Sequence, residues 1–295
     1  MSRRRRDIGA SVRARLLRFA REKGRAFDVV LTRYVLERLL YRLSLSRHRE
    51  RFALKGALLI TAWFSDPHRP TRDVDLLGFG DSSPEGILSV FRDVCAVQAD
   101  DGVTFDVETL AVELIREDLE YGGLRLRLTS RLAGARIATV IDVGFGDAVE
   151  PGLEEIELPV LLGMPAPRLR AYPRETVIAE KFEAMVRLGR ANSRMKDFYD
   201  VWMLSKTYRI DYERLARSIS ATFNRRRTAL PVDVPDALTS EFAGDPVKRE
   251  QWRAFVRDLE SDPGPLERVI EHLAGFLMPH AATARSLLPL TRRRI

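Results

Sequence analysis

The chain is poor in the residues that build the commonest metal and nucleophile sites. Its 295 residues include one cysteine, Cys95, and four histidines. A lone thiol excludes an intramolecular disulfide framework and a cysteine-based zinc site, and it points to the cytoplasm. The histidines, His48, His68, His272 and His280, form no ligand-spaced motif, which argues against a metalloprotease or hydrolase. No apolar run approaches the roughly 20 residues that span a bilayer, so no membrane partner is expected. The start, "MSRRRRDIGASVRARLLRFA", lacks the apolar core and cleavage site of a secretory signal. Its basic amphipathic character leaves a presequence reading open. No repeat or low-complexity segment is visible beyond the arginine runs.

What is present suits a folded domain or two modest ones, with 45% hydrophobic and 31% charged residues. The net charge is +7, and the arginines cluster at 3–6, 224–228 and 291–295. Such clusters suit a phosphate backbone, because each contact releases condensed counterions. Arg225, Arg226, Arg227, Arg292, Arg293 and Arg294 are therefore candidates for binding RNA.

Periodicity predicts amphipathic helices over 11–23 and 27–46. A short apolar strand follows and breaks at Lys55–Gly56, after which a small-residue helical pattern runs from Ala57 to Phe64. "SDPHRP" reads as a loop and "RDVDLLGFG" as a strand. "SSPEGILSVFRDVCAVQ" reads as a helix with serine at its cap and proline in its first turn. "GVTFDVETLAVELI" reads as a strand passing into a short turn or helix. "GGLRLRLTSRL" and "RIATVIDVGFG" read as a hairpin joined by "AGA". Residues 150–170 read as an irregular connection with one edge strand. Helical patterns then fill 174–189, 194–206, 211–223, 246–260 and 265–277. The expected fold is α/β (α+β): a mixed sheet with flanking helices over 1–168, then an α-helical half over 169–295.

Three features converge on one site. In "RPTRDVDLL" an extended backbone sends Asp73 and Asp75 to the same face and Val74 to the other. Two carboxylates on one face repel unless a cation joins them. Upstream, Lys55 and Gly56 stand at a strand-to-helix break whose backbone N–H groups, Ala57 included, suit an anion. Downstream, Asp142 in "TVIDVGFGD" closes a later strand that could pair beside the first. Carboxylates facing a phosphate-binding turn are what two-metal phosphoryl transfer requires, with Mg²⁺ as the hard oxygen-seeking ion. Lys181, two turns into its helix, reads either as a surface-paired lysine or as a point charge on a triphosphate. Asp197 and Asp200 share a helical face near an N-terminus, where dipole compensation is the plainer account.

Taken in order, "FALKGALLITAW", "RPTRDVDLLGFG", "TVIDVGFGD", "RETVIAEKFEAM" and "RMKDFYDVW" resemble the AbiEii/AbiGii family of nucleotidyltransferase toxins, MenT-like members included. That family belongs to the DNA polymerase β-type superfamily. The resemblance runs across about residues 50–205. It implies a toxin of a toxin–antitoxin or phage-defence pair with a cognate antitoxin encoded nearby, and the protein is expected to be a cytoplasmic monomer. It also implies NTP as substrate, two Mg²⁺ ions, and transfer of nucleotides to the 3′ acceptor end of tRNA, which blocks aminoacylation. Residue by residue, it implies metal ligation by Asp73, Asp75 and Asp142. NTP binding falls to Lys55, Gly56, Ala57, Lys181, Asp197 and Asp200, with Lys181 and Asp197 counted among the catalytic set. Thr71 occupies a position that some members have as a phosphorylated serine. The chain departs from the family at Ala57, which lacks the hydroxyl usual after the glycine turn. Two other outcomes fit the same residues: nucleotide transfer to a protein or small molecule, and an inactive RNA-binding protein acting through its basic surfaces.

Overall fold

The alternation in "GLRLRLTSRL" becomes a strand with two unlike faces. In the computed structural model, which describes residues 8–64, 71–115, 122–257, 259 and 262–287, this strand is β4 (Gly123–Leu132). Leu124, Leu126, Leu128 and Leu132 are buried, whereas Arg127 and Arg131 are exposed. The chain folds as two compact units, Met1–Gly146 with Glu154–Ala171, and Asp147–Leu153 with Tyr172–Ile295.

The first unit is built on a seven-stranded mixed sheet in the order β3-β4-β5-β2-β1-β7-β6. Its strands are β1 (Phe52–Lys55), β2 (Asp73–Gly78), β3 (Val103–Ile115), β4, β5 (Ala135–Phe145), β6 (Glu154–Glu157) and β7 (Arg168–Ala171). Strand β2 runs antiparallel to β1 and parallel to β5. Helices α1 (Ile8–Glu22), α2 (Phe27–Leu45), α3 (Gly56–Ile60) and α4 (Pro84–Ala96) belong to this unit. Ser83 caps α4 by accepting from the Gly86 N–H at 3.1 Å, and Pro84 opens its first turn. Apolar residues of α2 and α4 meet one face of the sheet, and Phe52 packs on Phe91 with ring centroids 5.5 Å apart. Within this core Arg42 makes a two-pronged bond to the buried carboxylate of Asp101, at 2.6 and 3.0 Å.

Several boundaries differ from expectation, each for a local reason. Helix α3 starts at Gly56 and stops at Ile60, where the Thr61 hydroxyl donates to the Leu58 carbonyl at 2.7 Å. Segment 103–115 stays a strand throughout. Its register shifts between Asp106 and Ala111, and Thr109 stitches this bulge by donating to the Asp106 carbonyl and accepting from the Thr129 N–H. Residues 150–170 hold two strands rather than one, because Glu155 and Glu157 stand opposite Arg170 and Arg168. The expected "SDPHRP" loop and the arginines at 3–6 lie outside the described residues.

The second unit is helical: α5 (Arg174–Leu188), α6 (Met195–Thr207), α7 (Tyr212–Arg225), α8 (Ser240–Gly244), α9 (Pro246–Val256) and α10 (Leu266–Leu287). Its core includes Phe182 against Phe223 and Phe198 against Phe242, at 5.3 and 5.5 Å between centroids. Helix α10 runs ten residues past the expected end at 277 (287 − 277), carrying Pro279 inside it. The Pro279 carbonyl accepts from the Tyr212 hydroxyl at 3.0 Å, so packing against α7 holds the helix through the proline. Among the described residues no helix is long and apolar enough to cross a membrane.

Candidate active site

Sheet register brings the sequence-separated acids together. Asp75 stands opposite Asp142 on the parallel neighbour β5, and opposite Lys55 on the antiparallel neighbour β1. Directly opposed residues share a face of the sheet, and Asp73, two positions from Asp75, shares it too. Asp73, Asp75 and Asp142 each offer a carboxylate oxygen within 4.8 Å of the others. Val74 and Ile141, on the opposite face, are buried. Asp73 and Asp75 thus point one way and Val74 the other, and Asp142 joins the same face.

Gly56 is required by its neighbour. Its φ is +69°, and a Cβ there would lie 1.9 Å from Asp75 Oδ2. Only a residue without a side chain lets Asp75 fold over the start of α3. Ala57 follows in the same first turn. Thr71, just before β2, donates its hydroxyl to Asp73 Oδ1 at 2.7 Å, so it touches the acidic group directly.

The donor set fits a hard divalent cation. All three ligands are carboxylates, no nitrogen or sulfur ligand joins them among the described residues, and Gly56 leaves room for the Asp75 carboxylate.

Arg125 completes the row, and sequence reading missed it. Standing opposite Asp142 on β4, it donates Nε–H to Oδ1 at 2.7 Å and Nη2–H to Oδ2 at 2.6 Å. These hydrogen bonds raise the Arg125 pKa above its ordinary value, against partial desolvation. Four opposed residues therefore form a row across β4, β5, β2 and β1, with two acids between basic ends: Arg125, Asp142, Asp75, Lys55. The signal was present in the strict alternation of "GLRLRL", which puts Arg125 on the face opposite the buried leucines.

In the second unit α5 and α6 assemble a separate charged cluster. Lys181 Nζ donates to Asp197 Oδ1 at 2.6 Å and lies 2.8 Å from Asp200 Oδ2. Asp197 and Asp200 are three apart and share one helical face, as their spacing predicts. Both are buried, so they need Lys181 more than a surface pair would. Arg194 Nε approaches Asp197 Oδ2 to 2.7 Å, close enough to pair but misaligned for a hydrogen bond.

Arg226 has a different occupation from the one its sequence neighbours suggest. Its guanidinium lies 2.8 Å from Glu180, 3.0 Å from the buried Glu183 and 3.4 Å from Asp147. Burial works against its charge, yet Glu180, Asp147 and Glu183 outweigh it and hold the pKa above the ordinary value. Thr228 adds a bond from its hydroxyl to Glu183 at 2.7 Å. The Arg226 guanidinium is thus engaged by carboxylates of its own unit. Arg225 ends α7 half-buried, and Arg227 follows exposed with φ +52°. Arg292, Arg293 and Arg294 lie outside the described residues.

These features coincide with a family match. The model of the nucleotidyl transferase AbiEii toxin family, of type IV toxin–antitoxin systems, matches residues 38–274. The chain belongs to the AbiEii family. It is a nucleotidyltransferase of the toxin–antitoxin class. The AbiEii chain shares its fold with JHP933 from Helicobacter pylori, at TM-score 0.50 and 14% identity, over 88% of this chain and 92% of that one. A second H. pylori protein, carrying a provisional nucleotidyltransferase name, aligns at TM-score 0.51 and 14% identity over 90% and 99%. No curated protein sequence matches the chain. The AbiEii match spans Lys55, Gly56, all three acids of the row and the Lys181 cluster.

Proposed function

We propose that this AbiEii protein transfers nucleotides from an NTP to the 3′ acceptor end of tRNA, with Mg²⁺ held by Asp73, Asp75 and Asp142. The observation that carries the metal reading is the register of β2 and β5, which puts Asp75 opposite Asp142 with Asp73 on the same face. A divalent cation bound there supplies Lewis-acid activation of an attacking hydroxyl and neutralises charge on a triphosphate. In the transfer, the acceptor oxygen bonds to the α-phosphorus as the bond to pyrophosphate breaks, and the hydroxyl proton leaves to solvent.

The chain's own residues divide the remaining work. Gly56 keeps the space over Asp75 open, and the N–H groups of the turn at Lys55, Gly56 and Ala57 are proposed to meet phosphate oxygens. Lys181 is proposed to contact the nucleotide, with Asp197 and Asp200 fixing its ammonium. Arg225, Arg227, Arg292, Arg293 and Arg294 are proposed to hold the RNA backbone. A cognate antitoxin is implied by the family. Phosphorylation of Thr71 by such a partner would place about two negative charges against Asp73 and silence the site.

The test is where label goes. Purified protein, total tRNA and each of the four α-labelled NTPs are incubated with and without Mg²⁺, then with cell protein in place of RNA. Label on RNA that requires Mg²⁺ and is lost in Asp73→Asn supports the reading. Label on protein assigns the other acceptor class, and RNA binding without any label assigns the inactive reading.

A further inference from the structure

The acidic row carries its own counter-ion. Both oxygens of Asp142, one ligand of the cation site, already accept hydrogen bonds from the Arg125 guanidinium, at 2.7 and 2.6 Å. On its other side Arg125 stands directly opposite Glu113 of β3. Glu113 is exposed and accepts from the neighbouring Arg127 at 3.0 Å. Arg125 is therefore flanked by a carboxylate on each adjacent strand, and all three side chains share one face of the sheet.

The two flanking strands lie at about the same lateral spacing, roughly 4.8 Å. Rotation about side-chain bonds alone carries a guanidinium from one neighbour to the other, with no movement of the backbone. Electrostatics supplies the reason to move. Three carboxylates within 4.8 Å repel one another, and without a cation Arg125 relieves that repulsion at the Asp142 end. A divalent cation relieves it with twice the charge, but it seeks the same oxygens.

We propose that Arg125 is a displaceable counter-ion of the cation site, which holds Asp142 until a divalent ion takes that carboxylate and then turns to Glu113. The proposal rests on the assignment of Asp73, Asp75 and Asp142 as the cation site. Arg125 acts through Asp142 and is a positioning residue. Its exchange sets the cation concentration at which the third carboxylate joins the other two.

The experiment is titration of the full-length protein with Mn²⁺ alone, following free Mn²⁺ by electron paramagnetic resonance. Arg125→Gln is expected to tighten Mn²⁺ binding on the order of ten-fold, an effect of the size that outer-shell partners exert on metal affinity. Glu113→Gln, which removes the alternative seat, is expected to weaken binding. Asp106→Asn removes a carboxylate from the same face of β3, opposite Thr129 rather than Arg125, and is expected to leave binding at the wild-type level. Arg125→Lys keeps a charge without the two-pronged geometry and is expected to fall between wild type and Arg125→Gln. Thermal unfolding of each variant identifies any that fails to fold, and the lysine variant then carries the test. Wild-type or weaker Mn²⁺ binding in both Arg125 variants would overturn the proposal, since a purely orienting arginine loses affinity when removed. Wild-type Mn²⁺ binding in Asp73→Asn would instead overturn the underlying cation-site assignment, a result separable from the first.

Discussion

Gly56, the first residue of α3, and Asp75 of β2 interlock: the carboxylate of one occupies the space where the other would carry a side chain. Gly56→Ala must accommodate a Cβ 1.9 Å from Asp75 Oδ2 while holding φ at +69°. The left-handed backbone alone costs about 1–2 kcal/mol for an L-residue. Chemical denaturation should show a loss of at least that size, and Mn²⁺ binding should fall with it because Asp75 is pushed aside. Unchanged stability together with unchanged Mn²⁺ affinity would show that the interlock is unimportant.

Asp73→Asn and Asp142→Asn should behave alike in one respect and differently in another. Each should reduce nucleotide transfer by more than about a hundred-fold, beyond the effect of losing an outer-shell partner. Asp142→Asn also removes the charged acceptor of Arg125, so its unfolding midpoint should shift, whereas the half-buried Asp73 should be nearly neutral for stability. Denaturation curves and single-turnover assays on the same preparations check both.

The contrast between these acids and Arg125 indicates what sequence could tell. Asp73 and Asp75 announce themselves because alternation within one strand is visible in one short string. Asp142 joins them through a parallel pairing with β3 and β4 intervening in the chain, so the sequence could offer it as a strand-end candidate but could not give the register that puts it opposite Asp75. Arg125 was hidden further, since its role comes from register between β4 and β5 and from no motif. Helix ends were misjudged where side chains compete with backbone, as Thr61 does at α3, or where tertiary contact overrides a proline, as at Pro279. The arginines at 225–227 look equivalent in a string, yet Arg226 faces three carboxylates that come from 147, 180 and 183.

Lys181→Met should be a stability variant as well as an activity variant. It would remove the cation that the two buried carboxylates share, leaving Asp197 beside the misaligned Arg194. Removing one partner of a buried ion pair costs about 3–5 kcal/mol. Urea denaturation should therefore show a large loss, and a near-neutral result would mean that water reaches the two carboxylates. Any fall in transfer by this variant is to be read only at temperatures where it remains folded.

Arg226→Ala should destabilise by about 3 kcal/mol, the lower end of the same range, because its guanidinium is partly exposed. Arg227→Ala, at an exposed position, should change stability by less than about 0.5 kcal/mol. If RNA affinity fell in Arg226→Ala with no change in unfolding, the guanidinium would have to be reaching outward after all.

The second unit should weaken in mild acid. Burial lowers the pKa of His280, whose Nδ1–H donates to the Phe276 carbonyl at 2.7 Å, and it lowers that of His272 as well. A base with a depressed folded value contributes stability above its unfolded pKa, near 6.5, and loses it as pH falls through the folded value. Thermal midpoints should therefore drop below about pH 6.5, and His280→Phe should flatten part of that slope. An identical acid slope in the variant would assign the effect to other groups.

The segment Asp147–Leu153 belongs to the helical unit although sheet strands flank it on both sides in the chain. Thr176 and Ser218 both donate to the Glu150 carbonyl, and Asp147 faces Arg226. A cut at one point would consequently never separate the two units: a fragment starting at Tyr172 leaves behind the seven residues (147 to 153) that its helices bind, and one starting at Asp147 carries off β6 and β7. Dividing the gene at any single codon would therefore strand part of one unit on the fragment that carries the other.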